Sequence, residues 1–176
     1  MLKLLKLLSL ILKIKKYIFD FDMITWFKEL ITLVKMIFNK VDVNKEIEIM
    51  QMNNFPFEGY SYMMWCGNIV TRKKSLDIPD TTYNHERGHL IQASHYGRWI
   101  IFYLVYLWEW IKGDPVVAPS SGAYYTIPFE MQTYANEDNP DYDYNVEDLK
   151  IKYTIKNRKS TYIEHRFNWR EWVKSL

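Results

Sequence analysis

The chain has 176 residues, of which 48% are hydrophobic and 25% are charged. These values are typical of a single globular domain whose core is large enough to fold without disulfide bonds. The formal net charge is only +2, so the charge balance gives no reason to expect a nucleic-acid partner. Cys66 is the one cysteine, which excludes an intramolecular disulfide and suits a reducing compartment. We interpret it as a buried, inert thiol.

The first forty residues are rich in lysine and predict two amphipathic helices. In residues 1–19 most lysines share one broad face, and leucine and isoleucine fill the rest. Such a helix either lies on an anionic membrane surface or packs on the domain. Residues 23–39 repeat the pattern, with Asp20 or Asp22 available as the helix cap. The apolar run near the start is too short for a signal-peptide core or for a membrane span.

These two helices define an N-terminal unit, residues 1–45, ahead of a second unit, residues 46–176. We expect the chain to be cytoplasmic, with residues 1–40 able to contact the anionic inner face of a membrane.

The remaining chain predicts a mainly α (α+β) fold. Residues 58–74 are aromatic and β-branched and indicate one or two short strands. Residues 99–108 form the most hydrophobic run and predict a buried core helix, with a membrane-dipping helix as the alternative. Pro128 favours the start of a short helix, and a further helix is expected near residues 161–174. The acidic residues 137–148 are interpreted as a solvated loop.

Residues 81–97 (TTYNHERGHLIQASHYG) hold three of the four histidines. His85, Glu86 and His89 fit the pattern H-E-x-x-H. On a helix, positions i and i+4 lie on the same face, so both imidazoles can bind one Zn²⁺ ion. Glu86 does not bind the metal in this pattern but takes a proton from the metal-bound water. The sequence therefore predicts a zinc site with Glu86 as the catalytic base.

The third protein ligand has two candidates, of which His95 is the nearer in sequence. Its distance from His89 matches the pattern H-E-x-x-H-x-x-G-x-x-H, in which a glycine turns the chain back toward the metal. Gln92 stands at the position of that glycine, and Gly97 is the first residue that favours a helix end. A helix that continues past Gln92 points His95 away from the other two histidines.

Glu130 is the second candidate and the one that we favour. Catalytic zinc sites often use two histidines and a glutamate, which leaves a fourth position for water. The apolar neighbours Phe129 and Met131 indicate a partly buried stretch, where an unpaired carboxylate is costly. The expected ligand set is therefore His85, His89 and Glu130.

The stretches HERGH and FEMQTYANE together resemble the gluzincin type of zinc metallopeptidase. In membrane-associated prenyl-protein and stress-response peptidases of that type, H-E-x-x-H is followed on a later helix by E-x-x-A-D. The resemblance implies that Glu130, the first residue of the second pattern, is the third ligand. Thr133 and Tyr134 depart from the Ala and Asp of the pattern. In the family that Asp helps to orient the histidine ligands, and this chain lacks it.

HERGHLIQ is also similar to the H-E-x-x-H-x-x-Q of many small bacterial zincin-like proteins, and the likeness spans about residues 58–137. It implies a zincin-like helical domain with a small β element near the helix that carries the histidines. It also implies that the edge of a strand at Trp65–Thr71 pairs with an extended peptide substrate. Tyr124, Tyr125 and His165 are weaker candidates for polarising a substrate carbonyl.

Two functions follow from these observations. The first is a zinc-dependent metallohydrolase of the peptidase kind that acts on peptide or protein substrates. The second is a non-catalytic protein that keeps a structural or vestigial zinc site and works through its amphipathic helices. A coordination position open to a cleft favours the first, and a fourth protein ligand favours the second.

Overall fold

The computed structural model describes residues 22–57, 59–112 and 124–151. The helices expected near residues 1–19 and 161–174 lie outside this part of the chain. The described residues form five helices and a three-stranded sheet, so the prediction of a mainly α (α+β) fold is confirmed.

The first described helix, α1 (Met23–Met36), packs on the sheet. Asp22 caps it, as the sequence suggested, because its carboxylate accepts a hydrogen bond from the backbone N–H of Thr25 at 3.0 Å. Leu33 is the buried residue of this helix. It forms a small apolar cluster with Met52, Phe55 and Val70, so this helix shares a core with the strands that follow it.

The sheet has the order β1-β3-β2, with β1 at Glu48–Gln51, β2 at Tyr62–Trp65 and β3 at Asn68–Thr71. Strand β3 pairs in parallel with β1 and antiparallel with β2. Cys66 and Gly67 connect β2 to β3, and both have positive φ angles, of 54° and 84°, as a tight two-residue hairpin turn requires. The sequence predicted β2 and β3 but missed β1.

Helix α2 (Asp80–Ser94) carries the H-E-x-x-H pattern. It ends where the sequence predicted, because Gly97 has a φ of 71° and its N–H bonds to the carbonyl of Ser94 at 3.1 Å. His95 occupies the C-cap position and is exposed.

Helix α3 (Trp99–Lys112) is the predicted apolar helix, but the prediction that it is buried is wrong. Only Trp99 and Phe102 are buried, and its other face exposes Ile101, Leu104, Leu107, Trp108 and Ile111. None of the described helices is both long and apolar enough to cross a bilayer.

Helix α4 (Pro128–Asn136) begins with Pro128 in its first turn, as predicted, and helix α5 (Val146–Ile151) follows. Phe129 packs its ring against Phe102, with the centroids 5.2 Å apart, and joins the main core on the α2 side of the sheet. The acidic stretch 137–148 is the expected solvated loop only in part: Asp138, Asp141 and Asp143 are exposed ahead of α5, but two other residues of the stretch are buried. Glu137 and Tyr144 within it are 6% and 1% exposed, because both pack against α2, as described below.

The predicted substrate-pairing edge at Trp65–Thr71 is also wrong, because β3 is the central strand and is paired on both sides. The strand next to α2 is the edge strand β2. Its Met64 already has outward partners: the N–H donates to Glu86 Oε2 at 2.6 Å, and the carbonyl accepts from Tyr103 at 3.3 Å.

We expect Leu33→Ala to lower the free energy of unfolding by about 2–5 kcal/mol, because it removes a buried side chain that joins α1 to the sheet. Val34→Ala is the matched control, since Val34 is 47% exposed and Leu33 is 2% exposed. Urea unfolding of the full chain measures both. Equal shifts of the two midpoints would contradict the packing of α1 on the sheet.

Candidate metal centre

Three side chains meet between helices α2 and α4. His85 and His89 come from successive turns of α2, and Glu130 comes from the first turn of α4. Each offers a ligand atom, and these atoms lie within 4.8 Å of one another. The three residues are only 2–7% exposed. The structure thus brings together the three residues that the sequence selected, and it does so in a buried position.

The carboxylate of Glu130 lies opposite both imidazoles. Its Oε2 is 3.3 Å from Nε2 of His85, and its Oε1 is 3.2 Å from Nε2 of His89. Nε2 atoms and a carboxylate are donors that Zn²⁺ prefers, and two histidines with one glutamate are a frequent catalytic set. The three donor atoms are therefore close enough together to share one ion.

A buried amide fixes the second nitrogen of His89. Gln92 Oε1 lies 2.9 Å from Nδ1 of His89, and Gln92 Nε2 donates to Phe129 O and Gln132 Oε1 at 3.0 and 2.9 Å. Because the amide nitrogen already faces two acceptors, the oxygen must face the ring. Nδ1 of His89 then carries a proton, and Nε2 is the ring nitrogen that faces Glu130.

Glu137 faces the second nitrogen of His85, and sequence reasoning did not find it. Its Oε2 is 3.4 Å from Nδ1 of His85. A carboxylate at this place is the kind of group that orients a metal-binding histidine. Tyr134, which stands at the position of the family's Asp, instead packs its ring on His85 at 4.3 Å between centroids. The available signal was spacing: Glu137 follows Glu130 by seven residues, which returns to the same helix face.

The electrostatics of the cluster favour positive charge between these side chains. Two of its buried atoms, His85 Nδ1 and Glu130 Oε2, make no hydrogen bond. Burial lowers the pKa of His85, but Glu130 and Glu137 outweigh it and raise that pKa to about 10. Burial likewise raises the pKa of Glu130, but His89 and His85 outweigh it and lower that pKa below its ordinary value. The donor set and the unpaired oxygen both fit a zinc ion.

Glu86 lies beside this group but on another side of the helix. It is 7% exposed, and the N–H of Met64 fixes its carboxylate. Burial raises the pKa of Glu86 above its ordinary value, which brings a carboxylate closer to the range useful for a base at neutral pH. The structure therefore places Glu86 near the cluster without making it one of the three converging ligands.

Two cavities reach the cluster, and Glu86 lines both. A cavity of about 630 Å³ is lined by tyrosines and charged groups, among them Tyr62, Lys73, His85, Tyr125 and Glu137. A cavity of about 360 Å³ is mainly apolar and is lined by residues that include Met63, Trp65, His89, Phe102 and Glu130. The donors of the cluster are thus reached from cavities of different polarity.

A tyrosine hydroxyl contacts Glu130 directly, and sequence reasoning did not find it. Tyr106 of α3 donates to Glu130 Oε1 at 2.6 Å. Burial and the carboxylate raise the pKa of Tyr106 well above its ordinary value, so it remains a neutral donor. Tyr124 and Tyr125, the predicted polarising residues, line the larger cavity. Tyr106 was missed because its role depends on how α3 packs against α4.

Gly88, inside the H-E-x-x-H pattern, allows α2 to lie very close to its neighbours. A Cβ atom at this position would lie 2.6 Å from the ring of Tyr144 and 2.8 Å from Cγ2 of Thr133. Both distances are shorter than real contacts, so a larger residue displaces α2 from α4 or from Tyr144. The glycine therefore sets the separation on which the histidine–Glu130 distances depend.

The other candidates lie elsewhere. His95 is exposed at the end of α2 and is not part of the cluster. Cys66 is buried, as predicted, and burial raises the pKa of its thiol to about 12, so the thiolate is strongly disfavoured. His165 lies outside the described residues.

No family model, curated protein or solved structure matches the chain.

We expect Gly88→Ala to lower the free energy of unfolding by about 1–3 kcal/mol, because the added methyl group overpacks the contact with Tyr144 and Thr133. Thr81→Ala is the control on the same helix, because Thr81 is exposed. Thermal and urea unfolding measure both. A stabilised Gly88→Ala variant, as expected for a freely exposed helical glycine, would contradict the close approach.

Proposed function

We propose that this chain is a zinc-dependent metallohydrolase of the gluzincin type that cleaves peptide or other amide bonds. His85, His89 and Glu130 hold the Zn²⁺ ion, and Glu86 is the general base. The observation that carries the proposal is the approach of two imidazole Nε2 atoms to the carboxylate of Glu130 within 3.3 Å. The presence of Glu86 in both adjoining cavities supports a reaction at this place.

Zinc supplies two things when bound: it lowers the pKa of a water molecule to near 7, and it polarises a carbonyl oxygen. The chain supplies the rest. Gln92 forms a hydrogen bond with Nδ1 of His89, and the carboxylate of Glu137 lies 3.4 Å from Nδ1 of His85, so both imidazoles turn Nε2 toward the metal. Glu86, fixed by the N–H of Met64, accepts a proton and can return it to the leaving amine.

The cavities support an extended substrate that crosses the cluster. One side of the substrate lies in the larger, polar cavity, and the other contacts the smaller, apolar one. Tyr60, Tyr62 and Tyr124 line both cavities together with Glu86, so a chain of several residues can pass between them. A peptide has this length and mixed polarity.

A non-catalytic zinc protein is the competing function. A closed structural site needs a fourth protein ligand. In the described part of the chain, no fourth histidine, cysteine or acidic residue joins the group of three. This observation favours the hydrolase, in which the fourth position belongs to water and substrate.

We expect the purified chain to bind about one zinc ion, as a His₂Glu site does, and Glu130→Ala to bind little, because it removes one of three ligands. His95→Ala is the matched control and keeps its zinc, because His95 lies outside the cluster. Elemental analysis after dialysis measures both, and circular dichroism checks that each variant is folded. Zinc lost from His95→Ala but kept by Glu130→Ala would overturn the ligand assignment.

We expect Glu86→Gln to keep its zinc but to lose about 100-fold or more of its hydrolytic rate, because an amide cannot accept the proton. Cleavage of a fluorogenic peptide library, with zinc content measured on the same sample, tests this. Asp80→Asn, at the exposed start of the same helix, controls for loss of a negative charge. Undiminished cleavage by Glu86→Gln would contradict the mechanism.

A further inference from the structure

Helix α1 exposes a continuous apolar face that the protein core does not use. Leu33 points into the core, yet large apolar side chains on the outward side are 47–69% exposed. They follow one another at helical spacings of three and four residues, so they form one strip along the helix. This outward face consists of Met23, Ile24, Phe27, Ile31, Val34 and the adjoining Phe38.

Lysines border the outward face on one side. Lys28 lies four residues after Ile24, and Lys35 lies four residues after Ile31, so each is a neighbour of the strip on the helix surface. Both lysines are exposed. The strip therefore joins apolar surface to positive charge along the helix.

The acidic residue of α1 faces away from this strip. Glu29 turns toward the loop after β1, where its carboxylate accepts hydrogen bonds from the N–H groups of Asn53 and Asn54 at 2.8 and 3.1 Å. The carboxylate of Glu29 therefore does not neutralise the positive charges of Lys28 and Lys35 beside the strip.

We propose that the outward face of α1 docks on an anionic lipid membrane. An apolar strip bordered by lysines matches the two layers of such a surface, because the apolar side chains enter the acyl boundary and the ammonium groups reach the anionic headgroups. The sequence ahead of α1 carries five lysines in residues 1–16 and no acidic residue before Asp20, so the chain that leads into α1 adds positive charge. This docking is independent of the zinc chemistry proposed above.

The exposed face of α3 does not carry the same inference. It exposes Ile101, Leu104, Leu107, Trp108 and Ile111, and a single exposed cation, Arg98, stands at its start, three residues before Ile101. Its final residue, Lys112, forms an ion pair with Glu109 of the same helix. Charge therefore selects α1 as the lipid-binding face.

Sedimentation of the full chain with phospholipid vesicles tests the proposal. We expect binding to vesicles of phosphatidylcholine that contain about 30% phosphatidylserine, which imitates the anionic surface of a cytoplasmic leaflet. We expect little binding to vesicles of pure phosphatidylcholine. Phe27→Glu/Ile31→Glu lowers the partition coefficient about tenfold or more, because it places acids in the apolar strip. Lys28→Glu/Lys35→Glu lowers it to a similar extent and weakens its dependence on salt.

Matched variants control for the changes in charge and polarity. Leu76→Glu/Val43→Glu alters two apolar residues that are 50% and 47% exposed elsewhere, and Arg72→Glu/Lys74→Glu reverses two exposed charges outside α1. Both keep wild-type binding, and circular dichroism confirms that each variant is folded.

Three outcomes would overturn the proposal. Full binding by Phe27→Glu/Ile31→Glu assigns the membrane contact to another part of the chain. A concentration-dependent dimer in sedimentation equilibrium, without vesicle binding, assigns the strip to a second copy. A monomer that ignores anionic vesicles shows that the strip is covered from within the chain.

Discussion

The arrangement of α2 and α4 depends on one electrostatic constraint, which is the burial of two imidazoles against the same carboxylate. Glu130 is 2% exposed and lies within 3.3 Å of both Nε2 atoms. Because Gln92 engages Nδ1 of His89 at 2.9 Å, Nε2 is the ring nitrogen that meets the carboxylate. Acceptors in such contact repel one another unless a proton or a metal cation lies between them. A proton or a metal cation between the imidazoles and the carboxylate offsets the cost of bringing the two helices this close.

Hydrogen bonds and close packing in the rest of the core fix the positions of the two histidines and Glu130. The amides of Gln92 and Gln132 connect α2 to α4, and Gln132 continues to the carbonyl of Asn145 at 3.0 Å. Gly88 lets Tyr144 lie against α2, and the sheet reaches the same helix through the bond from Met64 to Glu86. Polar networks of this kind are buried at high cost unless every member is paired. Here the pairing also sets the distance between the histidines and Glu130.

The sequence predicted the parts of the site that depend on local geometry. The i, i+4 spacing of His85 and His89 follows from the helix alone, and the end of α2 follows from Gly97. The choice of Glu130 over His95 came from the preferences of zinc and from the motif resemblance. The sequence did not predict Glu137 and Tyr106, because their roles depend on how α3, α4 and the following loop pack. Strand β1 was missed since four residues give little periodic signal, and the buried strand β3 was mistaken for an edge for the same reason.

The hydrogen bond from the N–H of Met64 to Glu86 connects the edge of the sheet to the carboxylate beside the histidines. An unpaired edge strand ordinarily offers a row of amides to any extended chain that arrives. In β2, the amide of Met64 is already taken by Glu86 and the carbonyl is taken by Tyr103. Another strand can occupy this position only by displacing the carboxylate, which then loses its hydrogen-bond donor. The edge is thus protected against unselective pairing, and a chain that does pair there frees the carboxylate beside the histidines.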